Sequence, residues 1–275
     1  MAPRARVPLP RLARHWDAHA FDLLIVLILV FLLAPLVFVV LFAFNEAPYI
    51  QFPPRALSLR WIENFLSSPD FMTAFWLSLR LALISVTIST LIGTAAALAL
   101  VRGRLPGSGF LSALFLSPLM TPSILTGLAI FQLFYLTGLG RSFWALLIGH
   151  VTVTIPYTIR TVTAVLKNFD RSLEDAAASL GASPLRVFRE VTLPLIRPGV
   201  IAGAMFGFIV SFDQFEVSLF LVAPESTTLP IHLFNYLRFN FDPTIAAASL
   251  VSLTISVIAV VLIERLVGLQ ASVRL

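Results

Sequence analysis

The run LLIVLILVFLLAPLVFVVLFAF, from Leu23 to Phe44, contains no charged side chain. A helix that crosses the hydrocarbon core of a bilayer needs about 20 apolar residues, and only a structure that satisfies its own backbone is tolerated there. This run meets both conditions. Arg4, Arg6, Arg11 and Arg14 precede it, as basic residues also precede a secretory signal. The run is too long for a signal core, and no small-residue cleavage site follows it, so it is expected to be a retained first span.

Outward from this run the pattern repeats. Further apolar segments lie at Leu81–Val101 (with an apolar approach from Phe71), Phe110–Tyr135, Phe143–Leu166, Gly199–Val222 and Ile245–Ile263. With Phe21–Phe44 they predict an all-α integral membrane protein of six transmembrane helices. The expected organisation is a tail over 1–20 and one membrane domain over 21–275. Composition agrees: 58% of residues are hydrophobic and 12% charged, against about 25% charged in soluble domains. The net charge of +5 does not indicate nucleic acid, since no basic stripe interleaved with aromatics lies on a polar surface. There is no cysteine, which excludes disulfides and thiolate metal sites.

Lys and Arg set the expected orientation. Segments on one side hold Arg4, Arg6, Arg11, Arg14, Arg102, Arg104, Lys167, Arg171, Arg186, Arg189, Arg197, Arg265 and Arg274. Segments on the other hold only Arg55, Arg60, Arg141 and Arg238. The imbalance predicts that both termini face the cytoplasm. The first outer loop, Asn45–Asp70, is expected to hold a short helix near Leu59–Leu66.

The loop 167–197 is the longest on the predicted cytoplasmic side. Ser172 followed by Asp175 reads as a capping box, and Glu174 and Asp175 suit the positive end of a helix dipole. Leu173, Ala176, Ala177 and Leu180 then share one face. Gly181 is placed to end the helix in a left-handed conformation. Ser183 and Pro184 open a second helix, which Pro194 is expected to stop, and Pro198 is expected to start the fifth span. Such an elbow, with small residues along it, suits docking into a groove of another protein. Its plainer reading is a solvated loop between spans.

The stretch Asp175-Ala176-Ala177, with Gly181, Leu193-Pro194 and Pro198 following, resembles the EAA motif of the membrane subunits of binding-protein-dependent ABC importers. Asp175 stands where the motif has glutamate, with Glu174 beside it able to share that role. The resemblance runs from about Phe71 to the C-terminus. It includes Leu77-Ser-Leu-Arg-Leu-Ala with Gly93, although Leu77 replaces a common Asn. Pro118, Pro122 and Gly127 belong to it, as do His150, Pro156 and Tyr157. Ser211-Phe-Asp213-Gln-Phe-Glu216, followed by Leu229-Pro230, is similar to the spermidine/putrescine-type members, whose relatives also serve iron, phosphonates and opines. The resemblance implies a type I importer permease of the bacterial cytoplasmic membrane that works by alternating access. It assigns ATPase coupling to Glu174, Asp175, Ala176, Ala177, Gly181 and Pro194. It also implies a second permease subunit, identical or different, two cytoplasmic ATPase subunits and an extracytoplasmic solute-binding protein.

Asp213 and Glu216 lie three residues apart inside the fifth segment, which would place them on one helical face. A carboxylate inside a bilayer costs on the order of 3 kcal/mol, so it should face a cavity or a partner. One reading is a pathway lining for a cationic solute. The other is a structural pair with Arg160 or with a second subunit. His150, alone in its span, reads as a helix–helix hydrogen-bonding partner rather than a ligand. Gly199, Gly203 and Gly207 form successive G-x-x-x-G steps that admit a close helix neighbour. No phosphate-binding loop and no nucleophile elbow occur, so no catalytic residue, cofactor or metal is assigned, and any ATPase must be a separate chain. An ion-driven secondary transporter and a non-transporting scaffold are the alternatives; six spans without a visible inverted repeat weigh against the former.

Overall fold

The computed structural model describes residues 11–103, 105–223 and 226–267, with side chains described over 21–265 in those stretches. Arg4, Arg6, Arg104 and Arg274, and the side chains of Arg11 and Arg14, therefore lie outside the described residues.

In chain order the helices are α1 (Arg11–Ala43), α2 (Arg60–Ser67), α3 (Pro69–Arg102), α4 (Ser108–Met120), α5 (Ser123–Leu136) and α6 (Phe143–Asn168). They continue with α7 (Ser172–Ser179), α8 (Pro184–Val187), α9 (Leu193–Phe212), α10 (Glu216–Leu221), α11 (Leu229–Leu237) and α12 (Thr244–Val267). A π-helical turn, Phe188–Thr192, joins α8 to α9. Among the described residues, 5 helices are long and apolar enough to cross a membrane, and the bent pair α4–α5 makes a sixth if taken as one span.

The described chain falls into two compact units, 1–63 with 241–250 and 64–240 with 251–275. In the first, the part of α1 from Leu23 to Ala43 is apolar on every side and largely uncovered, with Phe31 77% exposed. That is how a helix bathed in lipid reads. The loop after it is closed by a bridge between Asn45 and Leu57, and Ala43, Trp61 and Ala247 form a small core. The short helix expected near Leu59–Leu66 is α2.

The second unit is organised by α3, α6 and α9, which pack against one another along their lengths. Leu81, Leu146, Leu147, Val153, Val217 and Leu221 belong to its larger core. Ala97, Val162, Leu166 and Ile196 form another. Small residues let the backbones approach. A Cβ on Gly203 would lie 2.7 Å from Thr158 Cα, and one on Gly199 would lie 2.9 Å from the Thr161 carbonyl oxygen. The close neighbour of both glycines is therefore α6 of the same chain. Gly207 faces α3 instead, with Val86 Cγ2 3.3 Å away.

Gly203→Leu is accordingly expected to prevent the bundle from closing, because a backbone atom cannot yield as a side chain can; overpacking of this kind costs about 1–3 kcal/mol or more. Gly207→Ala, which meets only a movable methyl, should be tolerated. Size-exclusion profiles and thermal melts of the two variants in detergent check this. A normal profile and melt for Gly203→Leu would show that α6 and α9 can separate without loss.

The third segment is broken at Pro122: α4 and α5 meet at a bend of 108°. Pro122 lacks an amide hydrogen and disfavours a helical conformation at Thr121, which is extended (φ −92°, ψ 134°). The fifth segment does not begin at Pro198. That residue lies inside α9, which already starts at Leu193.

Candidate functional site

The loop 167–197 begins with a cap other than the expected one. Ser172 is the first helical residue of α7 rather than its cap. Asp170 Oδ1 instead accepts the Ser172 backbone N–H at 2.9 Å. The aspartate two residues upstream closes an Asx turn and so takes the first free amide. Accepting that bond holds the Asp170 carboxyl below its ordinary range.

Glu174 and Asp175 occupy the first turn of α7 but point in different directions, as consecutive helical residues do. Thr192 Oγ1 donates to Glu174 Oε1 at 2.6 Å. Arg102 Nε, at the end of α3, lies 3.1 Å from Glu174 Oε2. The Arg102 guanidinium covers the Phe169 ring at 4.8 Å. The ends of α3 and α6, the start of α7 and the π turn thus converge on one carboxylate, whose side chain is only 15% exposed. Asp175 is 72% exposed and has Arg171 at 4.0 Å, a pair of little energetic weight in water. Glu174 therefore anchors the elbow, while Asp175 is presented outward.

Gly181 ends α7 with φ +86°. The Ala182 amide donates to the Ala177 carbonyl at 3.2 Å, and the Gly181 amide to Ala178 at 2.9 Å. These are the two bonds of a Schellman cap. No atom would lie within 4 Å of a Cβ on Gly181, so only its backbone conformation demands glycine within this chain. Leu180, 89% exposed, and Leu185, 66% exposed, flank it. Ala176 and Ala177 are not buried either. The elbow thus offers an apolar tip with nothing of this chain over it.

Pro194 does not stop the second helix, contrary to expectation. A proline ring collides with the carbonyl four residues back in a regular α-helix. Here the π turn widens the helix, with the Leu193 amide reaching the Phe188 carbonyl. Pro194 is accommodated in the first turn of α9, and α8 and α9 form one lever joined by a bulge.

Asp213 and Glu216 do not share the face of a continuous helix. α9 ends at Phe212 and α10 starts at Glu216, so the two carboxylates flank a break. Both are exposed on the surface of the chain, whereas Gln214 between them is buried. Gln214 Nε2 donates to Glu216 Oε2 at 3.3 Å. Among the described residues neither carboxylate forms an ion pair, so the pairing with Arg160 is not made. The break is backed by close packing. A Cβ on Gly127 of α5 would lie 2.9 Å from Val217 Cα, and one on Gly149 of α6 would lie 2.6 Å from Leu221 Cδ1. His150 bonds both sides of it, as expected of a helix–helix partner, with Ser211 Oγ at 2.8 Å and Ser218 Oγ at 2.9 Å.

Sequence reasoning missed Arg102 and Thr192 as partners of Glu174, because they are distant in sequence and carry no local signal. Asp170 could have been found, since Asp-x-Ser before a helix is a turn signature.

The arrangement can pass a push on an exposed elbow into three packed helices, and it presents two carboxylates on an otherwise apolar stem. Comparisons with known proteins fit that picture. Residues 20–268 match the model of the binding-protein-dependent transport system inner membrane component family. The chain is 31% identical over 232 residues to the spermidine/putrescine transport system permease protein PotC of Escherichia coli (strain K12), covering 84% of this chain and 87% of that protein. It is 34% identical over 224 residues to the putrescine transport system permease protein PotI of the same organism, covering 79% of each. In fold it is similar to a chain of a bacterial ABC transporter involved in the import of the acidic polysaccharide alginate. That match has a TM-score of 0.68 and 17% identity over 95% of this chain and 98% of that one.

Proposed function

From the premise that this chain belongs to the binding-protein-dependent transport system inner membrane component family, we propose that it is the permease subunit of an ATP-driven importer for polyamines such as spermidine and putrescine. The observation that carries the substrate is the pair of curated relatives, at 31% and 34% identity over most of the chain, named as polyamine permeases. The exposed carboxylates Asp213 and Glu216 support it, since a cationic solute would find its counter-charge there.

The loop 167–197 is the coupling element of this reading. With both termini in the cytoplasm, α7 and α8 face the ATPase, and Leu180, Gly181 and Leu185 form the tip that enters its cleft. Asp175, Ala176 and Ala177 lie on the approach. Closure of two ATPase subunits on ATP draws this elbow together with that of a second permease subunit. α9, continuous with the elbow through the π turn, tilts and opens the pathway outward to a solute-binding protein. Release of ADP reverses the motion. The tail 1–20 and the membrane domain 21–275 take their places on this scheme.

Uptake of labelled putrescine and spermidine in cells lacking only this chain should be lost and should return when it is restored. Asp213→Asn with Glu216→Gln should lower uptake at least tenfold, while the protein still inserts. Unchanged uptake in the deletion, with no redundant importer, would move the substrate elsewhere. Uptake that followed the ion gradient and ignored ATP would place the chain among secondary transporters.

A further inference from the structure

His150 in α6 is 1% exposed, and both of its ring nitrogens are engaged. Ser211 belongs to the last turn of α9 and Ser218 to α10, so the ring joins the two sides of the break that carries Asp213 and Glu216. Proton bookkeeping gives the joint a direction. Ser218 Oγ donates its single hydrogen to the Gln214 carbonyl at 2.7 Å. Toward the imidazole it can therefore only accept, which requires hydrogen on Nε2. Nδ1 then accepts from Ser211 Oγ, because a doubly protonated ring here would be a buried charge without a counter-ion. The bonds run Ser211 to His150 to Ser218 to the Gln214 backbone carbonyl, which holds that residue in place, and the Gln214 side-chain amide separately donates to the Glu216 carboxylate.

An apolar ring of the same size would pack α6 against α9 and α10 equally well. What the polar chain adds is a fixed angle across the break and a fixed place for Gln214. We propose that His150 is a positioning residue for transport: through Ser218 and Gln214 it sets where the Glu216 carboxylate stands toward the solute. This rests on the reading that Asp213 and Glu216 line the pathway. His150 touches no solute itself.

The test uses the full complex in proteoliposomes, with radiolabelled spermidine uptake and ATP hydrolysis read in the same vesicles. The quantity is solute moved per ATP, which does not depend on how much complex assembles. His150→Phe removes both nitrogens and puts a larger apolar ring in their place. Ser218→Ala cuts the link to Gln214 and leaves His150 in place. Each removes two hydrogen bonds and should lower the ratio by at least about fivefold, the factor that loss of one net hydrogen bond carries. His150→Gln, which keeps a donor and an acceptor, should recover most of it. If the first two variants lose uptake and hydrolysis in proportion, the histidine only holds the fold and the proposal is overturned. Glu216→Gln, run alongside, reports on the pathway. A lowered ratio there with normal ratios in His150→Phe and Ser218→Ala would sink the positioning role alone. A normal ratio in Glu216→Gln would sink the pathway reading and this inference with it. Should His150→Phe fail to assemble, Ser218→Ala decides.

Discussion

Gly181→Asp is expected to abolish uptake while the chain inserts and folds normally. The glycine sits at φ +86°, where an L side chain costs roughly 1–2 kcal/mol, with aspartate and asparagine alike toward the lower end. A carboxylate at the C-terminal end of α7 also opposes the helix dipole, by about 0.3–1 kcal/mol. Together these come to about 1.3–3 kcal/mol, against about 1.4 kcal/mol for each tenfold in an equilibrium. Among the described residues, none beyond its chain neighbours comes within 4 Å of the place a Cβ would take, so the strain stays at the cap and the bundle keeps its packing. The added carboxylate then meets whatever grips the tip between Leu180 and Leu185. Gly181→Asn separates conformation from charge, because asparagine tolerates the left-handed region. ATPase co-purification and transport should fall together in the aspartate variant and be largely kept in the asparagine one. If both persist in Gly181→Asp, the elbow is not where the ATPase docks.

The second large effect is expected at Glu174. Glu174→Ala removes the acceptor of Thr192 Oγ1 and the counter-charge of Arg102 in one step. Breaking a fully buried pair costs about 3–5 kcal/mol; this one, partly wetted, should cost on the order of 2 kcal/mol. The loss is local: α7 comes away from the end of α3 and from the π turn. The expected result is an importer that still binds its ATPase but hydrolyses ATP without moving solute, because the elbow no longer pushes on the helices. Arg102→Ala should behave similarly, and the double variant should be less than additive, as residues of one network are. Asp175→Asn should leave the stability of the chain unaltered, since its carboxylate stands in water. A Glu174→Ala complex with normal solute per ATP would show that the elbow transmits force without this anchor.

The membrane class, the approximate place of each span and the elbow were legible in the sequence for simple reasons. Length and apolarity of a segment decide whether lipid accepts it, and both are local. The same holds for Gly181, whose left-handed cap follows from having no Cβ, and for the short helix α2 in the first long loop. Legibility ended where two neighbouring signals compete or where distant segments decide. Ser172 was read as a cap, although Asp170 stands two residues upstream and reaches the same amide. Pro194 and Pro198 were read as a stop and a start. The π turn makes room for the first, and the second lies within α9.

The sequence by itself determined that this chain lives in a bilayer, which loop folds into an exposed elbow, and which carboxylates stand inside an apolar segment. These follow from side-chain chemistry and from periods of a few residues. Tertiary structure alone decided that Glu174 rather than Asp175 is the anchor, since that depends on Arg102 and Thr192 arriving at one point. It alone decided that the fifth helix breaks between Phe212 and Glu216, because α5 and α6 offer Gly127 and Gly149 as a seat for α10, and His150 offers bonds to both sides. A local pattern states what a residue can do; only the packing of distant segments selects which of those things it does.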